Sequence, residues 1–458
     1  MKSFDVLVVG SGSGMMIADA AVNNGQSVAL VEMGKLGGTC LNTGCIPSKM
    51  VIYPADLVNI IKHAEELGIK ARIEEIDFPG IMRRTREYVK QDRLPMEESI
   101  GNVEGLSYYP VKGEFIDDYT MKVGEETIKA KNIFLVSGAR PLIPKIKGIE
   151  NVPYLTNENV WELEEKPESM VIVGGGFIAC EMAHFFSSMG TEVTLLSRSS
   201  RLIKQAEPEI SEIMTTSMRQ RMHIETDIEV TEVKKDGKNL KVIAKTKDGA
   251  VKEYKVRSLF IAAGRQSNAD LLKVEKTAVE VDSRGFIIVD DGYQTSKPRI
   301  WALGDAIGKA MYKHVANKEA EIVWHSFSHG HGHSHPMDYD LVPYAVFSWP
   351  QVASVGLTEE QAKERGLDVY IGEYNYIDTA KGAAMMEEDG YVKVLLTKED
   401  YRLIGAHIVG SSAPILIQEV INVMNAGEGT VHPLVEAMHI HPALPEVVQR
   451  AFYNIRES

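Results

Sequence analysis

Val6-Leu7-Val8-Val9-Gly10-Ser11-Gly12-Ser13-Gly14-Met15-Met16 decides the architecture of this chain. The four apolar residues read as a short buried strand, and the alternate glycines open a helical pattern that runs through Ala21. Strand, glycine turn and helix in that order aim the N–H groups of a helix start at a negative charge, the arrangement that holds a dinucleotide pyrophosphate. Gly10 permits the tight turn, and Gly12 lets the backbone approach the ligand. Met15 stands where the fingerprint has a small residue, so Gly14 is expected to supply the close packing of helix on strand. The next strand, Ser27-Val28-Ala29-Leu30-Val31, ends at Glu32, which is placed to accept from ribose hydroxyls. Taken alone, the stretch is also readable as a glycine turn without a ligand.

The pattern recurs once. Met170-Val171-Ile172-Val173 is a strand, Gly174-Gly175-Gly176-Phe177-Ile178-Ala179 opens a helix, and Thr191-Glu192-Val193-Thr194-Leu195-Leu196 is the second strand. This one ends at Ser197-Arg198, with Arg201 close behind, and not at an acid. An acid there binds a free 2′-hydroxyl and repels a 2′-phosphate, whereas a hydroxyl followed by arginines accepts the phosphate. The second site is therefore expected to take NADPH over NADH. The alternative is that both arginines are solvated surface residues.

Between the two sites lies Gly37-Gly38-Thr39-Cys40-Leu41-Asn42-Thr43-Gly44-Cys45-Ile46-Pro47-Ser48-Lys49. Cys180 is the one other cysteine, so Cys40 and Cys45 are not part of a disulfide framework. A pair at this spacing forms an intrachain disulfide, is reduced, and passes electrons on. Two buried cysteines, or half of a zinc site that needs two further ligands, are the alternatives. The two cysteines are expected to start a helix, where a thiolate is favoured. Two nucleotide sites and a dithiol imply a relay in which one cofactor delivers hydride and a second holds electrons for the disulfide. The second must accept two electrons and stay bound, which points to a flavin.

Hydrophobic content of 44% and charged content of 25% belong to a globular protein able to build large cores without metals. A net charge of −14 argues against nucleic acid and anionic membranes as partners. No apolar run reaches spanning length, and Met1-Lys2-Ser3-Phe4-Asp5 enters the first strand without a signal-peptide core. A cytoplasmic location is expected, and a reducing compartment suits a catalytic dithiol.

On these residues the chain resembles the flavoprotein disulfide reductases, the class I pyridine nucleotide-disulfide oxidoreductases that include lipoamide dehydrogenase, glutathione reductase and mycothione reductase. The resemblance covers essentially the whole length, and Gly38 to Lys49 resembles the group's redox motif. Ile300-Trp301-Ala302-Leu303-Gly304-Asp305 resembles the second flavin motif, whose aspartate holds the ribitol chain. Ser137-Gly138-Ala139-Arg140-Pro141 and Ala262-Ala263-Gly264-Arg265 resemble the turns that close each nucleotide domain. His439-Ile440-His441-Pro442-Ala443-Leu444-Pro445-Glu446 resembles the base motif of the dimerisation domain. Within the group, Gly176-Phe177-Ile178-Ala179, Ser267-Asn268-Ala269-Asp270 and Lys313-His314-Val315-Ala316-Asn317 are most similar to mycothione reductases. Dihydrolipoamide dehydrogenases more often keep an acid at the end of the second site's strand.

The resemblance implies an α/β fold: two Rossmann-like, glutathione reductase-type domains for FAD and NAD(P)H, and a C-terminal α+β dimerisation domain. The expected boundaries are 1–148 and 267–336 for FAD, 149–266 for NAD(P)H and 341–458 for the interface domain. FAD would be held by Gly10, Gly12, Gly14 and Glu32, by Ser137 and Gly138, and by Gly304 and Asp305. Lys49 and Glu181 would pair beside the flavin. The NADPH side would use Gly174, Gly176, Ser197, Arg198, Arg201 and Gly264. Cys45 would be the thiolate next to the flavin, and Cys40 would attack the substrate disulfide. His441, oriented by Glu446, would move the proton, and it would come from the second copy of a homodimer. The implied activity is reduction of a low-molecular-weight thiol disulfide. The alternative is dihydrolipoamide dehydrogenase, oxidising a protein-bound dithiol with NAD⁺. Mercuric ion reductases and large thioredoxin reductases use a further C-terminal redox pair, and no cysteine follows Cys180. No metal is expected in the catalytic centre. His325, His329, His331, His333 and His335 stand outside this scheme, and are read as an exposed connection that alternatively binds a metal ion.

Overall fold

The computed structural model describes residues 1–329 and 336–457. Its first sheet is built around Lys2–Val9, which pairs in parallel with Val28–Val31 on one side and Glu126–Leu135 on the other. Val6, Leu7 and Val8 are all fully buried, because helices or other strands cover both faces of the parallel core. The strand begins at Lys2, earlier than its apolar run, since the ladder to Ile128 and Lys129 needs only backbone groups. Thr120–Val123 and Gly113–Asp117 extend the sheet antiparallel. Ile300–Ala302 then pairs in parallel with Glu126–Leu135, so a late segment of the chain returns to the first sheet. It delivers the helix Lys313–His329 against Gly14–Asn23.

The inserted segment repeats the theme with Ser169–Val173, Glu192–Leu196, His223–Glu225 and Ser258–Ile261, all parallel. Three antiparallel strands, Ile228–Asp236, Asn239–Thr246 and Val251–Val256, flank them. The two stretches read as separate closing turns are partners: Ala139–Pro141 pairs antiparallel with Arg265–Ser267 where the chain enters and leaves this unit.

The C-terminal part is a six-stranded antiparallel sheet with Leu403–Val409 and Tyr391–Thr397 at its centre. Leu416, Ile417 and Val420 on the helix Ala413–Met424 cover it. Lys393 in this sheet is 1% exposed, and its ammonium lies 2.6 Å from Glu359, 3.3 Å from Glu209 and 3.4 Å from the fully buried Glu207. The cluster fastens the inserted unit to the C-terminal sheet, because losing the cation would strand a buried carboxylate, a penalty of about 3–5 kcal/mol.

One expectation needs correction. His325 and His329 do not lie in a connection; they occupy the last turns of Lys313–His329, with ring centroids 4.3 Å apart, because the helical pattern of Val323 and Ser326 continues beneath them. His331, His333 and His335 fall outside the described residues. Among the described residues, no helix is long and apolar enough to cross a membrane, and no group of three or more His, Cys, Asp or Glu side chains is placed to hold a metal.

Candidate redox site

The cysteines do not share a helix as expected. Cys40 lies in the short helix Gly38–Thr43, and Cys45 begins Cys45–His63. Gly44 separates them at φ −130°, ψ −112°, where a side chain would come within 2.9 Å of the Thr39 carbonyl oxygen. The break brings the two thiols together in one hydrogen bond and leaves Cys45 alone at a helix N-terminus. The Cys40 hydrogen bond lowers the Cys45 pKa to about 7, with burial opposing and Lys49 assisting. The same contact, with burial, pushes the Cys40 thiol up. The dithiol thus has one member ready to be a thiolate and one that keeps its proton. Cys180 is fully buried and its thiol is pushed up by burial, so it is inert.

One turn after Cys45, Lys49 Nζ donates to both oxygens of Glu181 at 2.8 and 2.9 Å. Glu181 is buried in Phe177–Ser188 and also accepts from the Phe347 backbone at 3.0 Å. Lys49 lies 4.3 Å above the Phe347 ring. The pair therefore joins the dithiol helix, the second glycine loop's helix and the approach to the C-terminal sheet.

The first glycine loop fits the diphosphate and ribose end of FAD. Gly10 is at φ +106°, and a side chain there would overlap the Val136 carbonyl. A side chain on Gly12 would meet nothing, so that face lies open at the helix start. Gly14 supplies the close packing: a β-carbon would sit 2.9 Å from Val8 Cγ1. Ser13 does not cap the helix with its side chain; its hydroxyl donates to Asn317 Oδ1 at 2.9 Å, and of the first-turn N–H groups Met16 N donates to the Ser13 carbonyl at 3.1 Å. Glu32 accepts from Ser11 N and Oγ at 2.8 Å through Oε2, and from Gly34 N at 2.7 Å through Oε1. It holds the loop, and Oε1 retains capacity for a ribose hydroxyl. The Ser137 hydroxyl is buried without a hydrogen-bond partner, and the Gly138 carbonyl accepts from Asn268 at 3.2 Å. Asp305, whose carboxyl burial pushes up, lies 3.2 Å from Arg265, which opposes that shift.

The second loop repeats the first. Gly174 sits at φ +136° against the Ala262 carbonyl, and Gly176 faces open space. The Gly264 carbonyl accepts from Leu142 at 2.9 Å. Ser197 departs from expectation: it is buried, and its hydroxyl is engaged with Ser199 behind Gly175 and does not face outward. Arg198 is 83% exposed with a loose pair to Glu229 at 3.9 Å, and Arg201 lies 3.7 Å from Glu360.

His441 Nδ1 is 2.8 Å from Glu446 Oε1, and Ala443 N donates to Oε2 at 3.1 Å. The imidazole is 68% exposed. Its hydrogen bond lowers the Glu446 carboxyl against a smaller effect of burial. Met438 and Ile440 beside it are exposed apolar residues on the same stretch. His439 lies 3.4 Å from Glu419, away from Glu446.

The sequence reading missed several residues here. Glu319, fully buried, accepts from Gly304 N and Tyr339 Oη, each at 2.6 Å, and so fixes the loop that carries Asp305. Lys313 donates to Ser13 Oγ at 3.0 Å, across 300 residues of sequence. Lys313 was quoted only as part of a stretch of resemblance, without a role, and no local motif marks Glu319.

Residues 4–320 match the pyridine nucleotide-disulphide oxidoreductase family, and residues 342–452 its dimerisation domain. The chain is 36% identical to mycothione reductase of Mycobacterium tuberculosis over 100% of both chains. It is 33% identical to dihydrolipoyl dehydrogenase of Geobacillus stearothermophilus, over 98% of this chain and 95% of that one. Among solved structures it is similar to the Cu(II) complex of an HOCl-induced flavoprotein disulfide reductase from Escherichia coli. That likeness has a TM-score of 0.87 and 26% identity, and covers 99% of this chain and 100% of the other.

Proposed function

Because the chain belongs to the pyridine nucleotide-disulphide oxidoreductase family, we propose that it draws electrons from NADPH and delivers them through the Cys40–Cys45 dithiol to a low-molecular-weight disulfide of the mycothione type. It is a flavoprotein disulfide oxidoreductase that binds FAD and takes electrons from NAD(P)H. Bound FAD supplies the two-electron relay between nicotinamide and disulfide. The observation that carries the proposal is the hydrogen-bonded thiol pair at the start of Cys45–His63, with Lys49–Glu181 one turn away.

Two electrons and one proton convert the Cys40–Cys45 disulfide into a Cys45 thiolate and a Cys40 thiol. His441 of the partner subunit takes the Cys40 proton, and the Cys40 sulfur attacks the substrate disulfide. One substrate thiolate leaves and receives that proton from the imidazolium. The Cys45 thiolate then attacks the Cys40 sulfur, expels the second half of the substrate as a thiolate that takes its proton from solvent, and restores the disulfide. Glu446 holds the ring through Nδ1, which leaves Nε2 to carry the proton. The dimerisation segment supports a homodimer, and a reducing compartment, the cytoplasm, suits the exposed dithiol. The 33% identity to dihydrolipoyl dehydrogenase favours the second reading, oxidation of a carrier-bound dithiol with NAD⁺.

Anaerobic titration with NADPH and, separately, NADH tests the proposal. NADPH is expected to raise long-wavelength thiolate-to-flavin absorbance, which the symmetrical disulfide of mycothiol then discharges. Reduction by NADH alone overturns the coenzyme assignment and favours the dihydrolipoamide reading. A band that NADPH raises and no small disulfide discharges overturns the substrate class.

A further inference from the structure

Lys313 is the first residue of the helix Lys313–His329 and is half-buried. Both facts work against a cation. A helix start carries partial positive charge, and burial removes water from the ammonium. The hydrogen bond of the ammonium goes to the neutral Ser13 hydroxyl at 3.0 Å, and among the described residues no carboxylate forms an ion pair with it. The Ser13 hydroxyl is itself fixed by donating to Asn317 Oδ1 at 2.9 Å, one turn further along the same helix. Lys313 is therefore aimed from the later segment of the chain into the first glycine loop. The groups within its electrostatic reach are Cys40, Cys45 and Asp305, of which Asp305 is already matched by Arg265 at 3.2 Å. A cation placed where helix start and burial disfavour it, and held by a neutral hydroxyl alone, has its counter-charge in whatever anion the site generates.

We propose that Lys313 is a further residue of the redox centre, a fixed cation held by Ser13 that stabilises the negative charge appearing on the dithiol when its disulfide is reduced. The inference rests on the dithiol reading above. Reduction adds two electrons and one proton to the Cys40–Cys45 disulfide, both electrons coming from NADPH. The product carries one unit of negative charge, shared through the hydrogen bond between the two sulfurs. Lys49 is already committed to Glu181, so that pair is close to neutral as a unit. Lys313 is the cation near the sulfurs without such a partner. Burial lowers its own pKa, and Cys40, Cys45 and Asp305 oppose that shift.

The test is the pH at which the thiolate absorbance of the two-electron-reduced holoenzyme falls to half, compared for wild type, Lys313→Met and Lys313→Arg. Wild type is expected to lose the band as pH falls through about 7. Lys313→Met is expected to lose it about one pH unit higher, and Lys313→Arg to stay near wild type. A merely structural role would leave the midpoint in place. Should Lys313→Met shed FAD, the pH midpoint of Cys45 alkylation by iodoacetamide, which needs no flavin, decides in the same three proteins. Equal midpoints in wild type and Lys313→Met overturn the assignment. A wild-type protein without any thiolate band overturns the dithiol reading beneath it instead.

Discussion

At the scale of single residues, the site separates its acid–base duties by environment. Glu446 is buried, yet the His441 hydrogen bond keeps its carboxyl below the ordinary range, so it stays ionised across neutral pH and favours the tautomer with hydrogen on Nδ1. His441→Gln retains a polar side chain but cannot carry a proton. On the proposed mechanism, turnover falls by roughly 10²–10⁴-fold, the usual contribution of a general base. Reduction by NADPH and the Cys45 thiolate band persist, because no step before disulfide attack uses the imidazole. Stopped-flow spectra at both stages check this, and a lost band would remove His441 from the role. Cys40 and Cys45 could be singled out from local spacing, whereas His441 and Glu446 came from the resemblance of 439–446 to the family's base motif. Lys313 and Glu319 could not, since their partners Ser13 and Gly304 are brought to them only by tertiary folding.

At the scale of elements, the two glycine loops are one device used twice. Gly10 and Gly174 both take positive φ and both press on the carbonyl of a strand-following residue, Val136 in one case and Ala262 in the other. Any side chain there meets backbone that cannot move aside, with strain of about 1–3 kcal/mol before the clash is counted. Gly174→Ala is therefore expected to slow reduction by NADPH at least tenfold while FAD remains bound and chemical reduction of the flavin is unchanged. Simultaneous loss of FAD would show that the two loops are not independent. The strands and first helices were legible because apolar runs ending in glycine admit few other readings. The break at Gly44 was not, because an isolated glycine inside a helical pattern is tolerated at a cost of about 1 kcal/mol and does not by itself mark a break. Only the approach of the Thr39 carbonyl makes glycine necessary there. The partnership of Ala139–Pro141 with Arg265–Ser267 was hidden for a different reason, since three-residue strands leave no periodicity to detect.

At the scale of the whole molecule, the proposed mechanism divides the site between two subunits. The dithiol sits beside the first sheet, while His441 projects from the C-terminal unit with its ring 68% exposed and with Met438 and Ile440 exposed beside it. The buried Lys393 cluster fastens the inserted unit to the C-terminal sheet and so limits how far those units can rearrange within one chain. On the proposed mechanism a second copy brings the base to the sulfurs, and a two-fold dimer would make both sites at once. Mixed dimers test this directly. Cys45→Ser and His441→Gln subunits are each expected to be inactive as homodimers. Co-expressed, they pair at random, and each mixed dimer has one site with an intact dithiol from one subunit and an intact base from the other. About a quarter of wild-type turnover should return, since about half the dimers are mixed and each has one working site of two. If the base served its own chain, every site in the mixture would lack one component and no activity would return.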